Sequence, residues 1–475
     1  MSRWQLAKLG TVTTKVGSGA TPRGGKDAYK SAGIPLIRSQ NVHSDGFRYE
    51  GLAFLDDDQA DALKSVEVRA DDVLLNITGA SIGRVTIAPG RMAGARVNQH
   101  VCIIRPKLEL RPEFLRWYLA SPDIQHIIFD IQTGVTRQAL TKEQILSFDV
   151  PLPPLDVQEA VVAEIEKQFS RLDEAVASLN RIQSNLKRYK AAVLKAAVEG
   201  KLTEQWRKEH PDVEPAEQLL KRILAERRAK WEAEELAKMK GKGIKPKDDS
   251  WKKKYKEPAG PDTANLPELP EGWLWVSLES ISDVIDPNPS HRMPKYVPKG
   301  IPLISSENFV SHVEIDFTKG KQVADETFQE QRNRYKVEPG DFAFSRIGTI
   351  GKTMFLPIDK EYCLSHALVL IKAIGPELSR KYLKTALSSD AVLMQAREGV
   401  QSVGVPDLGM AKMRSFQIPL PPCIEQLAVV DEIDRRLSVT EELEATIKAN
   451  LKRAERLRQT ILQQAFIGDM KSELK

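Results

Sequence analysis

The sequence predicts two mixed α+β domains in tandem repeat, separated by two long antiparallel helices forming an intramolecular coiled coil. Three observations carry this expectation. The chain repeats itself. Each repeat passes from short apolar runs broken by glycine to a helical 3–4 pattern. The change falls each time just after Pro-Leu-Pro-Pro.

The repeat is collinear. Pro151-Leu152-Pro153-Pro154 returns as Pro419-Leu420-Pro421-Pro422, and Gln158 returns as Gln426. Val161-Val162-Ala163-Glu164-Ile165 returns as Val429-Val430-Asp431-Glu432-Ile433. Gly33-Ile34-Pro35-Leu36-Ile37 matches Gly300-Ile301-Pro302-Leu303-Ile304, Ile82-Gly83-Arg84 matches Ile350-Gly351-Lys352, and Gly134-Val135 matches Gly399-Val400. These matches divide the chain into a first domain (1–154), a first long helix (155–200), an insert and linker (201–272), a second domain (273–422) and a second long helix (423–475).

In the first domain, Val73–Ile77 and Val101–Ile104 read as buried strands, and Pro112–Tyr118 and Lys142–Ser147 as short helices. The second domain echoes them with strands at Phe342–Phe344 and Leu368–Ile371 and a helix from Arg380 to Ala386. Gly79, Gly83, Gly348 and Gly351 mark a tight turn after the first of these strands. Each Pro-Leu-Pro-Pro removes backbone donors and reads as a stiff joint, neither strand nor helix.

After the first joint, Val162, Ile165, Phe169, Leu172, Val176 and Leu179 alternate by three and four, the seam of a helix that packs on another helix. The seam resumes at Ile182, Leu186, Tyr189 and Val193, so the step from Leu179 to Ile182 reads as a stammer. The second helix gives Val430, Ile433, Leu437, Leu443, Ile447, Ala454, Leu457 and Ile461. The expected pairing set is Ile165, Phe169, Leu172, Val176, Leu179, Leu186 and Val193 against Ile433, Leu437, Leu443, Ile447, Leu457 and Ile461. Gly200 and Gly468 stand at equivalent helix ends. A helix from Val157 to Glu199 spans roughly 65 Å and cannot bury its seam alone. Antiparallel pairing with its repeat copy puts the two domains at opposite ends of a rod; packing on its own domain and pairing between chains are the other readings.

Between the repeats, Pro215–Lys240 reads as a charged helix and Gly241–Pro270 as a flexible linker. The net charge of the 475-residue chain is +5, but Lys221–Lys256 holds 14 Lys/Arg against 6 Asp/Glu. A polyanion partner and a solvated linker both fit this stretch. A hydrophobic fraction of 41% and a charged fraction of 28% exclude a mostly disordered chain. No run of 18 apolar residues exists, so no transmembrane helix and no membrane partner are expected. Met1–Gln5 lacks an apolar leader, and Cys102, Cys363 and Cys423 are far apart, so a reducing cytoplasm without disulfides or structural zinc is expected.

Catalytic signatures fail one by one. Gly19–Lys26 is glycine-rich and basic, but a phosphate-binding G-x-x-x-x-G-K-[ST] loop needs glycine at Ala20 and a hydroxyl at Asp27. No H-E-x-x-H, G-x-S-x-G or metal-ligand spacing occurs. His100 and His366 nearly coincide in the repeat alignment, at strand starts, and read as structural hydrogen-bonders. A duplicated, motif-poor chain with a long helical spacer points to recognition, with no catalytic or metal-binding residues.

The ordered motifs resemble those of the specificity (HsdS) subunits of type I restriction-modification systems. The resemblance rests on the Gly-Ile-Pro-Leu-Ile entries at Gly33 and Gly300, the run from Asp72 to Gly83 with its weaker echo from Asp341 to Gly351, and Pro-Leu-Pro-Pro followed by a long helix. It covers essentially the whole chain, and the basic insert departs from simple symmetry. It implies a non-catalytic reader of double-stranded DNA, each domain a target recognition domain for one half of a split sequence. It further implies that the helices set the unspecific gap and dock two methylation (HsdM) subunits, with two motor/nuclease (HsdR) subunits joining for restriction in phage defence. S-adenosylmethionine, ATP and Mg2+ would belong to those partners, and this chain would carry no cofactor.

Features shared by both repeats cannot explain two different half-sites, so polar loop residues are the DNA-binding candidates. In the first domain these are Lys15, Arg23, Lys26, Arg38, Gln40, Asn41, Arg84, Arg137 and Gln138. In the second they are Asn288, His291, Arg292, Lys295, Glu307, Asn308, Arg346, Lys352 and Gln401. Arg38 and Gln40, aligned with Ser305 and Glu307, form the sharpest contrast. A coiled-coil scaffold whose domains bind proteins is the alternative; salt-dependent, sequence-selective DNA binding separates the two.

Overall fold

The computed structural model describes residues 4–22, 24–132, 139–289, 294–310, 314–400 and 406–467. It divides into two compact units, residues 1–182 with 446–475, and residues 183–445.

The first unit is built on an antiparallel four-stranded sheet in the order Thr13–Ser18, Val101–Pro106, Val73–Asn76, Val85–Ile87. Val73–Asn76 is buried at every position, as its unbroken apolar run requires of a strand covered on both faces. On one face Val73, Leu75, Cys102 and Ile104 pack with the helix Pro112–Leu119 and with the long-helix residues Ile165 and Phe169. On the other, Leu74, Val101 and Ile103 pack with Ile37 and Val97. These last two come from a small sheet in which Ile34–Ile37 pairs antiparallel with Ala53–Leu55 and parallel with Arg96–Val97.

The second unit repeats this plan. Its central sheet runs Ser282–Ile285, Leu368–Ala373, Phe342–Ser345, Thr353–Phe355, and Ile301–Ile304 again pairs parallel with a short strand, Cys363–Leu364. The turns after Asn76 and Ser345 need positive φ, and Gly79 (70°) and Gly348 (72°) supply it without steric cost.

The Pro-Leu-Pro-Pro joints differ from expectation, because strand pairing reaches into them. Asp149–Pro151 pairs with Leu6–Lys8, and Gln417–Leu420 with Leu274–Ser277. Each ribbon has only two strands, so a proline tolerates its missing donor on the open side.

The long helices span Leu155–Val198 and Cys423–Ile467. Within the first unit, Ile165 and Phe169 share a core with Leu462, Ala465 and Phe466, and Asp173 meets Arg458. Within the second, Val193 and Ala197 share a core with Val429 and Ile433, and Lys190 meets Glu444. Numbers rise on one helix as they fall on the other, so the pairing is antiparallel in each unit.

The expected stammer is absent. Ile165, Phe169, Leu172, Val176, Leu179, Gln183, Leu186, Lys190, Val193 and Ala197 form one unbroken 3–4 series, all buried or half-buried. Ile182 and Tyr189 lie outside it, 45% and 42% exposed. The second helix behaves alike. Its series runs Ile433, Leu437, Thr440, Glu444, Ile447, Leu451, Ala454, Arg458, Ile461, Ala465, whereas Leu443 and Leu457 are 43% and 41% exposed. Hydrophobicity alone selects the neighbour of each true seam position. Glu444 accepts from Lys190 at 2.7 Å, and Arg458 donates to Asp173 at 2.7 Å while lying 4.5 Å from the Phe169 ring centroid.

The linker between the repeats also departs from expectation. The helix Ala216–Gly241 lies on the second domain, where Arg227 and Lys230 both reach Asp283 and Arg222 bridges Glu214 and Glu377. Trp251 is buried and stacks on Trp231. The chain beyond is strapped down: Ser277, Gln417 and Trp275 donate to the carbonyls of Ala259, Asp262 and Pro267. Its lysine, proline and glycine content conceals these aromatic and backbone ties.

Candidate nucleic-acid interface

In the first unit three loops meet at one edge of the central sheet. Asn98 N–H donates to Ile37 O, Gly19 N–H to Asn98 O, and Ile77 N–H to His100 O. Buried Asn76 ties two of the loops together, its Nδ2 donating to Ser39 O at 2.9 Å and Ser81 Oγ at 3.2 Å. Exposed Gln40 and Arg84 and half-buried Arg38 are carried on these loops. Arg38 Nη2 and Gln40 Nε2 both donate to Gly51 O, at 2.6 and 2.9 Å, and the Arg38 guanidinium lies 5.2 Å from the Tyr29 ring centroid. A planar cation so held has a fixed orientation.

The equivalent edge of the second unit carries Ser305, Glu307 and Lys352. Glu307 and Lys352 are exposed, and Lys352 Nζ donates to Ser306 O at 3.2 Å. Ser345 takes the place of Asn76: its Oγ donates to Thr349 O and accepts from Lys352 N–H.

Other candidates change role. Asn41 and Asn308 are 0% and 2% exposed. Asn41 Oδ1 accepts from Arg38 N–H and its Nδ2 donates to Arg48 O and Glu50 O. Asn308 does the same with Ser305 N–H, Asp316 O and Lys319 O. Both asparagines shape the loop and have no groups left to offer a base. Arg346 is buried between Asp286 and Asp407, and half-buried Asn288 donates to Leu364 O and accepts from Gln331 Nε2. Asn41, Asn308 and Arg346 are therefore corrected from reading residues to structural ones; a polar residue in a loop reads the same in sequence whether it points out or ties the loop to itself. Lys15 sits mid-strand and donates to Ser65 O, and Lys295 is exposed. Arg23, Arg137, Gln138, His291, Arg292 and Gln401 lie outside the described residues, as does the side chain of Lys26.

Backbone register also moves the histidine alignment by one. Asn98 and Ser365 are equivalent, since each donates to the last residue of the Gly-Ile-Pro-Leu-Ile run, so His366 corresponds to Gln99 and His100 to Ala367.

An open cleft of about 1030 Å3 lies beside Arg84, where the first recognition domain meets its helix pair. Arg84, Arg116 and Arg458 line it together with Asp45, Glu166 and Asp173, so its charge nearly balances. Burial pulls the Arg116 guanidinium down to about 10, Glu166 opposing the shift and Arg458 adding to it. Among the described residues no group of His, Cys, Asp and Glu could hold a metal ion, and no helix is long and apolar enough to cross a membrane.

A model of the type I restriction modification DNA specificity domain matches residues 1–188 and again 270–453. The chain belongs to this family. Among specificity subunits, that of the EcoKI enzyme of Escherichia coli K12 is 22% identical over 488 residues, covering 99% of this chain and 90% of that protein. That of the EcoBI enzyme of Escherichia coli is 30% identical over 202 residues, 42% of each chain. A solved structure described as the structural basis of complex assembly and conformational transition of the type I R-M system shares the fold, with a TM-score of 0.65, 19% identity and 98% of both chains covered.

For this specificity-family chain the loop asparagines carry a direct expectation. Asn41→Ala leaves Arg38 N–H and two carbonyls without partners and is expected to cost about 1–3 kcal/mol. Urea denaturation measures it, and a change below about 0.5 kcal/mol contradicts the looping role.

Proposed function

We propose that this chain chooses the DNA sequence on which a type I methylation and restriction complex acts. Each recognition domain reads one half of a bipartite target, and the paired helices set the gap and dock two methylation subunits. Those subunits bring S-adenosylmethionine and methylate an adenine in each half-site. With two motor/nuclease subunits, ATP and Mg2+, the complex cleaves unmethylated DNA. This chain contributes recognition and no catalytic group, and the complex works in the cytoplasm.

One observation carries the reading. The same sheet edge is built twice, and its polar residues differ: half-buried Arg38 with exposed Gln40 and Arg84 on one copy, half-buried Ser305 with exposed Glu307 and Lys352 on the other. Two readers of like fold and unlike surface suit two unlike half-sites. The paired helices would set the phase between the two readers on B-DNA, whose turn is roughly 34–36 Å. The modified adenine must leave the stack, so the assembled complex is expected to distort the duplex.

Co-expression with the methylation subunit followed by genome-wide mapping of methylated adenines tests this. The expected result is a split motif with one modified adenine in each part; unsplit or absent methylation overturns the reading. Arg38→Ala is expected to relax or weaken one half-site only, by about ten-fold or more at the affected base pair. Equal loss on every sequence makes Arg38 a phosphate contact.

A further inference from the structure

We propose that Gln99, held by Thr21 and His100, reads an adenine in the half-site of the first unit; the inference rests on the DNA-reading function proposed above. Gln99 is exposed at the sheet edge where the candidate loops meet. It directly follows buried Asn98, whose Oδ1 accepts the His100 N–H at 3.1 Å and so fixes the local backbone.

The side chain of Gln99 is the middle of a polar relay. Thr21 Oγ1 donates to its Oε1. Its Nε2 lies 3.2 Å from His100 Nε2, and His100 Nδ1 lies 2.5 Å from Thr78 Oγ1. In one arrangement that satisfies every contact the amide donates to His100 Nε2, with the ring N–H on Nδ1 directed to Thr78. The amide oxygen then faces Thr21 and the amide nitrogen faces His100. These contacts leave one amide N–H and one oxygen lone pair unused on an exposed side chain. That pair matches the major-groove edge of adenine, whose N7 accepts and whose N6 donates. Guanine offers two acceptors there and would set O6 against the amide oxygen.

The second unit lacks this device. His366 occupies the equivalent position, and beside it Arg346 is turned inward, its Nε donating to His366 O at 3.1 Å. One edge presents an oriented amide and the other does not, as two readers of different half-sites require.

The test is the methylation map of the co-expressed complex, for the wild-type chain, Gln99→Ala and Gln99→Glu. The wild type is expected to demand an A·T pair at one position of one half-site. Gln99→Ala is expected to accept other bases at that position alone, with about ten- to hundred-fold less discrimination on singly substituted duplexes. The other half-site is expected to stay unchanged. Gln99→Glu, with acceptors only, is expected to favour cytosine on the strand that carried the adenine, because cytosine N4 donates. Relaxation at a G·C position, uniform loss on all sequences, or an unaltered motif overturns the assignment while leaving the DNA-reading function intact. A wild-type complex that produces no split motif overturns that function, and this inference with it.

Discussion

Glu425→Ala is expected to lower the stability of the second unit by about 3–5 kcal/mol, the cost of breaking a buried ion pair from one side. Glu425 is fully buried in the first turns of the second long helix. Its Oε1 accepts from Thr203 Oγ1 and Arg207 Nη1, both at 2.6 Å, and its Oε2 from Trp273 Nε1 at 2.7 Å. One carboxylate thus joins three stretches of chain: the segment after the first long helix, the start of the second domain and the second long helix. Removing it strands three donors, one of them charged. Glu425→Gln keeps the volume and part of the bonding, so a smaller cost of about 1–3 kcal/mol is expected. Denaturant midpoints at constant slope measure both. A loss below about 1 kcal/mol for the alanine variant contradicts the argument.

The second large effect is expected in the first unit. Phe114→Ala should cost about 3–5 kcal/mol through lost transfer energy and a cavity that its rigid neighbours cannot close. The Phe114 ring is fully buried, edge-on to Phe466 at 5.2 Å and to Trp4 at 6.2 Å. It therefore holds the last turn of the second long helix and the first described residue of the chain against the same core. Phe114→Leu keeps most of the apolar volume and is expected to cost clearly less. Equal costs for the two variants contradict a packing role.

Much of this architecture was legible because it is written twice. The strands Val73–Asn76 and Leu368–Ala373 and the helices Pro112–Leu119 and Arg380–Leu387 follow apolar runs whose echo in the other repeat removes ambiguity. The seam was legible where it is greasy and misread where it is charged. Gln183, Lys190, Glu444 and Arg458 sit on it, and a search for apolar periodicity steps to the neighbouring isoleucine, tyrosine or leucine instead. Unbroken 3–4 spacing was the signal that could have found them. Glu425 was missed because an acidic residue in a first helical turn reads as a partner for the helix dipole. Its burial depends on Arg207 and Trp273, far away in sequence.

The candidate loops were legible as loops, but which of their polar residues turn inward was not. Asn41 and Asn308 fall at equivalent places in the repeat, and the rule that shared features are structural should have removed them; Arg346 carried no such warning. Gln99 gave no signal in sequence because Thr21 and Thr78, the outer members of its relay, lie far from it along the chain.

The charged seam positions bear on the register and the choice of partner of the helix pair. Sliding the two helices by one heptad would set Lys190 against Leu437 or Leu451 in place of Glu444, leaving an ammonium facing hydrocarbon. A foreign rod with the same greasy stripe but differently placed charges would meet the same penalty. The ion pairs thus act as a lock on register and on self-pairing of the two helices.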